Sequence, residues 1–166
     1  MRLFVALRPP ESAVAALDEF LAVRRSAARF RWTSAEQFHI TLAFLPEAPE
    51  RVLDDLAARL ERAAAKRRPL QTRLAGGGAF PNASRARVLW AGLELTEADG
   101  EEPRRLSVGA RAAAAKAGAV VDGGRFRPHL TVARSGSPVE MSDWVRLLDA
   151  FAGSPWSATE IELVAS

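Results

Sequence analysis

Apolar residues recur along this chain with two different periods. Alternating or continuous apolar runs at Arg2–Leu7, Phe30–Thr33, His39–Leu45, Leu70–Leu74, Arg87–Glu94, Phe126–Arg134 and Thr159–Val164 predict strands. Between them the spacing lengthens to three and four. Leu17, Phe20, Leu21 and Arg24 lie in a first helix over residues 11–28, and Val52, Leu53, Leu56, Leu60 and Ala63 stripe a second running from Pro49 to about Arg68. Leu106, Ala110, Ala113 and Ala117 mark a third helix stopped by Gly118. Trp144, Leu147, Leu148 and Phe151 mark a fourth, started by Ser142 and stopped by Gly153. Strands and helices mixed in this order predict an α+β domain. The stretches "GGGAFPN" and "DGG" predict turns. The first of these lacks the Gly-Lys-Ser/Thr ending of a nucleotide P-loop.

Two of the strand segments repeat a phrase. "FHITLAF" spans Phe38 to Phe44 and "RPHLTVA" spans Arg127 to Ala133; they hold His39 and His129, the only two histidines of the chain. Each is followed two places on by threonine, Thr41 and Thr131. With six threonines in 166 residues, chance would produce both coincidences about once in 800. Residues two apart in a strand share a face. Alternation therefore puts His39, Thr41 and Ala43 on one side and Phe38, Ile40, Leu42 and Phe44 on the other. It likewise puts His129, Thr131 and Ala133 opposite Phe126, Leu130 and Val132. Each strand then offers an apolar face to the core and, on its other face, an imidazole, a hydroxyl and a small residue that leaves room for a ligand.

Composition narrows the setting. A length of 166 residues with 48% apolar content fits one domain, or one domain of two similar lobes. The absence of cysteine removes disulfides and thiolate chemistry and suits a reducing, cytoplasmic compartment. No apolar run approaches the roughly 20 residues of a membrane span, and the opening "MRLFVALRPP" reads as a strand rather than a signal peptide. The net charge of +3 is modest and the pI is near 10.4. A basic pI favours a polyanionic partner without naming one. Nothing argues for an oligomer or an obligate protein partner, so a monomer is expected.

Two imidazoles in matched settings suit a displacement in which one proton is removed and another supplied. Imidazole is the side chain whose ordinary pKa of about 6.5 leaves both forms available near neutrality. Metal binding fits poorly, because no Asp or Glu lies within either phrase. Threonine hydroxyls can donate to the non-bridging oxygens of a phosphate, and Arg134 can supply fixed positive charge. The combination describes phosphodiester cleavage without metal or cofactor.

The same residues resemble a known group, the two-histidine phosphoesterases with paired His-x-Thr motifs, and within it the bacterial and archaeal RNA 2′,3′-cyclic phosphodiesterases, also called 2′-5′ RNA ligases. "RLFVAL", "WTSAEQFHITLAFLPE", "GGGAFPNASRARVLWAGLE" and "FRPHLTVAR" follow the family's segments in order. The resemblance implies a bilobal α+β fold, residues 1–166 forming one two-lobed domain. Two antiparallel sheets face each other across a central cleft, helices cover the outer faces, and the halves are related by a pseudo-two-fold. It implies hydrolysis of a ribose 2′,3′-cyclic phosphate, on RNA 3′ ends or nucleotides, to a 2′-phosphate with little or no metal requirement. His39 corresponds to the proton donor for the leaving 3′-oxygen and His129 to the base that activates water, with Thr41, Thr131 and Arg134 as phosphate ligands. By alternation Arg127 also points toward the cleft, either as an RNA contact or as a solvent-exposed arginine. Two departures stand out: Pro46 occupies a position where the family often has glycine, and the chain stops at Ser166 where relatives continue into a short tail. Alternatives are 2′-5′ RNA ligation, another two-histidine phosphodiesterase activity, or an RNA-end binding module without turnover.

Overall fold

A computed structural model describes all 166 residues, Met1–Ser166. The eight strands are β1 (Leu3–Leu7), β2 (Arg31–Trp32), β3 (Ile40–Leu45), β4 (Leu70–Phe80), β5 (Ala86–Leu95), β6 (Leu130–Val139), β7 (Trp156–Ala158) and β8 (Glu162–Ala165). The four α-helices are α1 (Glu11–Ala22), α2 (Leu53–Ala65), α3 (Glu102–Ala117) and α4 (Ser142–Asp149). The α+β class expected from the two periodicities is the one observed. Gly118 closes α3 in the left-handed region at φ 101°, which glycine adopts without steric cost.

Several boundaries differ from expectation, and some of the differences have a plain local reason. The first helix ends at Ala22, just after its last buried residue, Leu21. The segment expected as strand from Phe126 becomes one only at Leu130. Pro128 interrupts it, having no N–H for a ladder and holding Arg127 to extended geometry. The last expected strand, Thr159–Val164, becomes one only at Glu162, and the short β7 that precedes it was not expected. "GGGAFPN" turns only at its end: β4 runs through the glycines to Phe80, with a register shift between Leu74 and Gly77, and the chain bends from Pro81. Its glycines allow close packing. A Cβ on Gly78 would overlap the Trp90 indole, and one on Gly77 would overlap Leu148 of α4.

All strand pairings are antiparallel. The order is β7-β4-β5-β6-β3-β1-β8, with β2 added beside β6. Hydrogen bonding therefore follows one curled sheet, where two separate sheets were expected. The halves meet at a single pairing between β3 and β6, Ile40 with Leu130. Beyond it the strands part, and β2 takes the vacated edge through Arg31–Arg134 and Trp32–Ala133. Helices α1 and α4 pack against β4, while α3 packs against β3 and α2 against α3. One core of 32 buried residues runs through the molecule, including Leu17, Leu21, Ile40, Leu56, Leu89, Leu130 and Leu148. Each such leucine contributes roughly 1.5–3 kcal/mol by leaving water. No helix is long and apolar enough to cross a membrane.

Gly78→Ala tests the close approach of β4 to Trp90. Trp90 is wedged against Phe80 and His129 (ring centroids 5.3 and 6.0 Å) and has little freedom to retreat. The substitution should cost about 1–3 kcal/mol, as overpacked sites do. Urea and thermal unfolding will read this as a lower midpoint with an unchanged m-value; parental stability would mean that the indole moves aside freely.

Candidate active site

The single Ile40–Leu130 pairing decides what lies together. Both residues are fully buried, so their neighbours in sequence project to the opposite side of the sheet. Carrying the antiparallel register one residue either way sets His39 beside Thr131 and Thr41 beside His129. Each phrase thus completes the other.

Both strands then depart from simple alternation, and in the same place. Opposite β1, Val5 pairs with Ala43 and Ala6 with Thr41, so Leu42 is an extra residue. Opposite β5, Leu89 pairs with Ala133 and Trp90 with Thr131, so Val132 is extra. These are β-bulges, which reverse the facing of every later residue. The consequence corrects the alternation argument. Ala43 and Ala133, expected to leave room for ligand, are buried in the core. Phe44 and Arg134, three residues after each threonine, turn to the open side and line the cavity. The carbonyls of the extra residues are not left bare: Leu42 O accepts from the Ser107 hydroxyl of α3 at 2.6 Å, and Val132 O accepts from Thr33 N–H at 2.9 Å.

The cavity has a volume of about 760 Å³. His39, Thr41, Thr131 and Arg134 all line it, as do Arg2, Arg8 and Arg31. Its aromatic lining is Phe4, Trp32 and Phe44, and Glu36 and Glu162 are its only side-chain carboxylates. His129 stands at its margin, packed against Phe80 and Trp90 with ring centroids 4.9 and 6.0 Å away. Arg127 precedes the strand, and its guanidinium lies over the ring of Phe80, which packs on His129, at 5.9 Å. Sequence reasoning also missed Phe4, whose ring stacks on His39 at 4.5 Å and 23°, and Arg8. Phe4 within the first strand and the arginines that flank it, Arg2 and Arg8, were the available signal.

The two imidazoles are held alike. His39 Nδ1 lies 2.6 Å from Gln37 O, and His129 Nδ1 lies 2.6 Å from Arg127 O. A carbonyl only accepts, so each Nδ1 carries the proton and each Nε2 is left free to take or give one. For His39 the accepting turn is itself clamped: Arg8 donates to Phe38 O at 2.7 Å and to Ala35 O at 3.3 Å. Burial pushes both imidazoles below their ordinary pKa of 6.5. The carbonyl bonds oppose that shift. The positive charges of Arg8 and Arg134 reinforce it at His39, and those of Arg134 and His39 reinforce it at His129. Both rings therefore feel Arg134, and His129 feels His39. No group of three or more His, Cys, Asp or Glu side chains is arranged to hold a metal ion.

Two neutral imidazoles with free Nε2 atoms, two hydroxyls and a set of arginines around one cavity suit an anionic, phosphate-containing ligand. Comparison with known proteins agrees with that class. A family model described as LigT-like phosphoesterase matches residues 7–90. The chain belongs to the LigT-like phosphoesterase family, and so to the phosphodiesterase enzymes. An RNA 2′,3′-cyclic phosphodiesterase of Thermus thermophilus is 34% identical over the whole chain and 82% of its own length. One of Geobacillus stearothermophilus is 33% identical over 96% of the chain and 50% of its own length. The crystal structure of TT0787 of Thermus thermophilus superimposes with a TM-score of 0.79 at 32% identity, covering 99% of this chain and 88% of that one.

An NMR titration checks the electrostatics directly. The Cε1–H resonances of His39 and His129 should both titrate with midpoints below 6.5, and saturating inorganic phosphate should raise both, because an anion offsets the neighbouring arginines. Midpoints at or above 6.5 in the free protein would mean that burial does not govern these rings.

Proposed function

We propose that this protein hydrolyses ribose 2′,3′-cyclic phosphates at RNA 3′ ends to 2′-phosphates, without metal or cofactor. Residues 1–166 act as one catalytic domain, as a monomer in the cytoplasm. Its two parts, on either side of the Ile40–Leu130 joint, each contribute one His-x-Thr phrase. The observation that carries this is the matched anchoring of two imidazoles by Nδ1–H bonds to backbone carbonyls, beside a shared arginine. The names of the Thermus and Geobacillus relatives point to the same substrate class.

In this mechanism Thr41, Thr131 and Arg134 hold the non-bridging phosphate oxygens. His129 Nε2 takes a proton from water, whose oxygen attacks phosphorus opposite the ribose 3′-oxygen. The P–O3′ bond breaks, and His39, protonated at Nε2, gives its proton to that leaving oxygen. The products are a 3′-hydroxyl and a 2′-phosphate, with the two histidines in exchanged protonation states that solvent resets. His39 starts the cycle protonated, although burial disfavours that form in the free protein. The incoming phosphate anion restores it, so substrate charge and acid catalysis are coupled.

Phosphorus NMR of the products from a 2′,3′-cyclic mononucleotide tests the proposal. A 2′-phosphate alone is expected, undiminished by chelator. His39→Ala and His129→Ala should each lower kcat/KM by about 10²–10⁴ with unchanged melting temperature. The double variant should lose little more, because the pair acts as a unit. A 3′-phosphate product, or retained turnover in either single variant, would overturn the assignment. Tight, salt-sensitive binding with no turnover would leave an RNA-end binding module. The pH profile of kcat/KM reports the free protein. With both imidazoles shifted down, its maximum should fall below pH 6.5 and activity should decline as pH rises through neutrality, while the kcat maximum should lie higher.

A further inference from the structure

The chain's basic residues are almost all arginine; its only two lysines are Lys66 and Lys116. Both line one groove, of about 580 Å³, between α2 and α3. This groove shares no lining residue with the catalytic cavity. It lies behind the sheet: α3 packs on β3 through the Ser107–Leu42 bond, while the opposite face of β3 carries Thr41 and Phe44 into the cavity.

The floor of the groove is small and its rim is cationic. Ala63 and Gly109 meet where the helices touch, and Ala112 and Ala113 continue the floor. Seven of the twelve lining residues are Arg or Lys and none is Asp or Glu. Four of the seven have carboxylate partners: Arg59 with Asp55, Arg67 and Arg105 with Glu102, and Arg104 with Glu101. Arg62, Lys66 and Lys116 have none. After the three partner carboxylates are subtracted, the groove keeps a surplus of four positive charges, more than the +3 of the entire chain. Folding has therefore gathered charge that the sequence spreads.

The charges also form a row. Arg67, just past α2, pairs with Glu102 at the start of α3, so the helices run antiparallel. From Arg105 to Lys116 the groove then extends about 16 Å at 1.5 Å per residue. That length matches several successive phosphates of a nucleic-acid strand, spaced about 3.4 Å along a duplex axis. An acidic peptide would look for apolar anchors as well as charge, and Val108 is the only large apolar residue in the lining.

We propose that the α2–α3 groove binds the phosphate backbone of RNA, without regard to sequence or end chemistry, at a site separate from the catalytic cavity. The choice of RNA as the polyanion rests on the proposed function. The groove holds the body of a substrate RNA, so it raises affinity for polymers and leaves the cleavage of a mononucleotide unchanged.

Fluorescence anisotropy with a labelled single-stranded RNA ending in an unmodified 3′-hydroxyl separates this from catalysis. The Lys66→Ala/Lys116→Ala double variant should bind it several-fold more weakly. The slope of log affinity against log salt should shrink by about 1.4, the counterions of two phosphates. Its hydrolysis of a 2′,3′-cyclic mononucleotide should equal that of the parent, while KM for an RNA with a cyclic end should rise. Unchanged RNA affinity and salt slope in the variant would overturn the inference, as would displacement of the RNA by polyglutamate at lower concentration than by polyuridylate. Lysine-dependent RNA binding by a protein that cleaves no cyclic phosphate would uphold the groove and sink the proposed activity.

Discussion

One backbone pairing organises this molecule. Ile40 and Leu130 are the only residues through which β3 and β6 join, and the two halves of the sheet diverge from that point. Because both side chains are buried in the core, the flanking residues have no choice of face. Two histidines ninety positions apart in the chain thereby become neighbours. An antiparallel register makes the relation reciprocal, so each imidazole stands beside the threonine of the other phrase. A parallel join would have matched like with like.

The paired bulges do the second part of the work. A bulge costs a ladder position and leaves a carbonyl without its usual partner. Here the cost at β3 is met by Ser107, which ties α3 to the strand, and at β6 by the amide of Thr33, which ties β2 to it. What is gained is direction. Arg134 reaches the cavity only because Val132 is extra, and Phe44 reaches it only because Leu42 is extra. The helical layer behind the sheet is thus part of how the charge in front of it is placed.

The electrostatics of the cavity are arranged for a guest that brings its own negative charge. Partial burial and two arginines keep His39 neutral in the free protein, and Phe4 covers one face of its ring. An anion bound there would offset the arginines and raise the imidazole pKa. His129 is sheltered differently, by Phe80 and Trp90. The two rings share an anchoring geometry but not an environment.

Much was legible in the sequence because local rules suffice for it. Apolar periodicity located each of the four helices and every strand but the three-residue β7, since burial of one face is decided by spacing within a segment. The repeated His-x-Thr phrase marked His39, Thr41, His129 and Thr131, and all but His129 line the cavity itself. The misreadings share a cause. "GGGAF" reads as a turn until Trp90 and Leu148 are seen pressing on its glycines. Ala43, Ala133 and Phe44 face the wrong way under alternation until the partner strands impose their bulges. The expected second sheet dissolves because one pairing links the halves. The sequence by itself determined which residues form elements and which chemistry they carry. Only tertiary structure decided register, bulge position and the gathering of both lysines into one groove, because those depend on contacts between segments far apart in the chain.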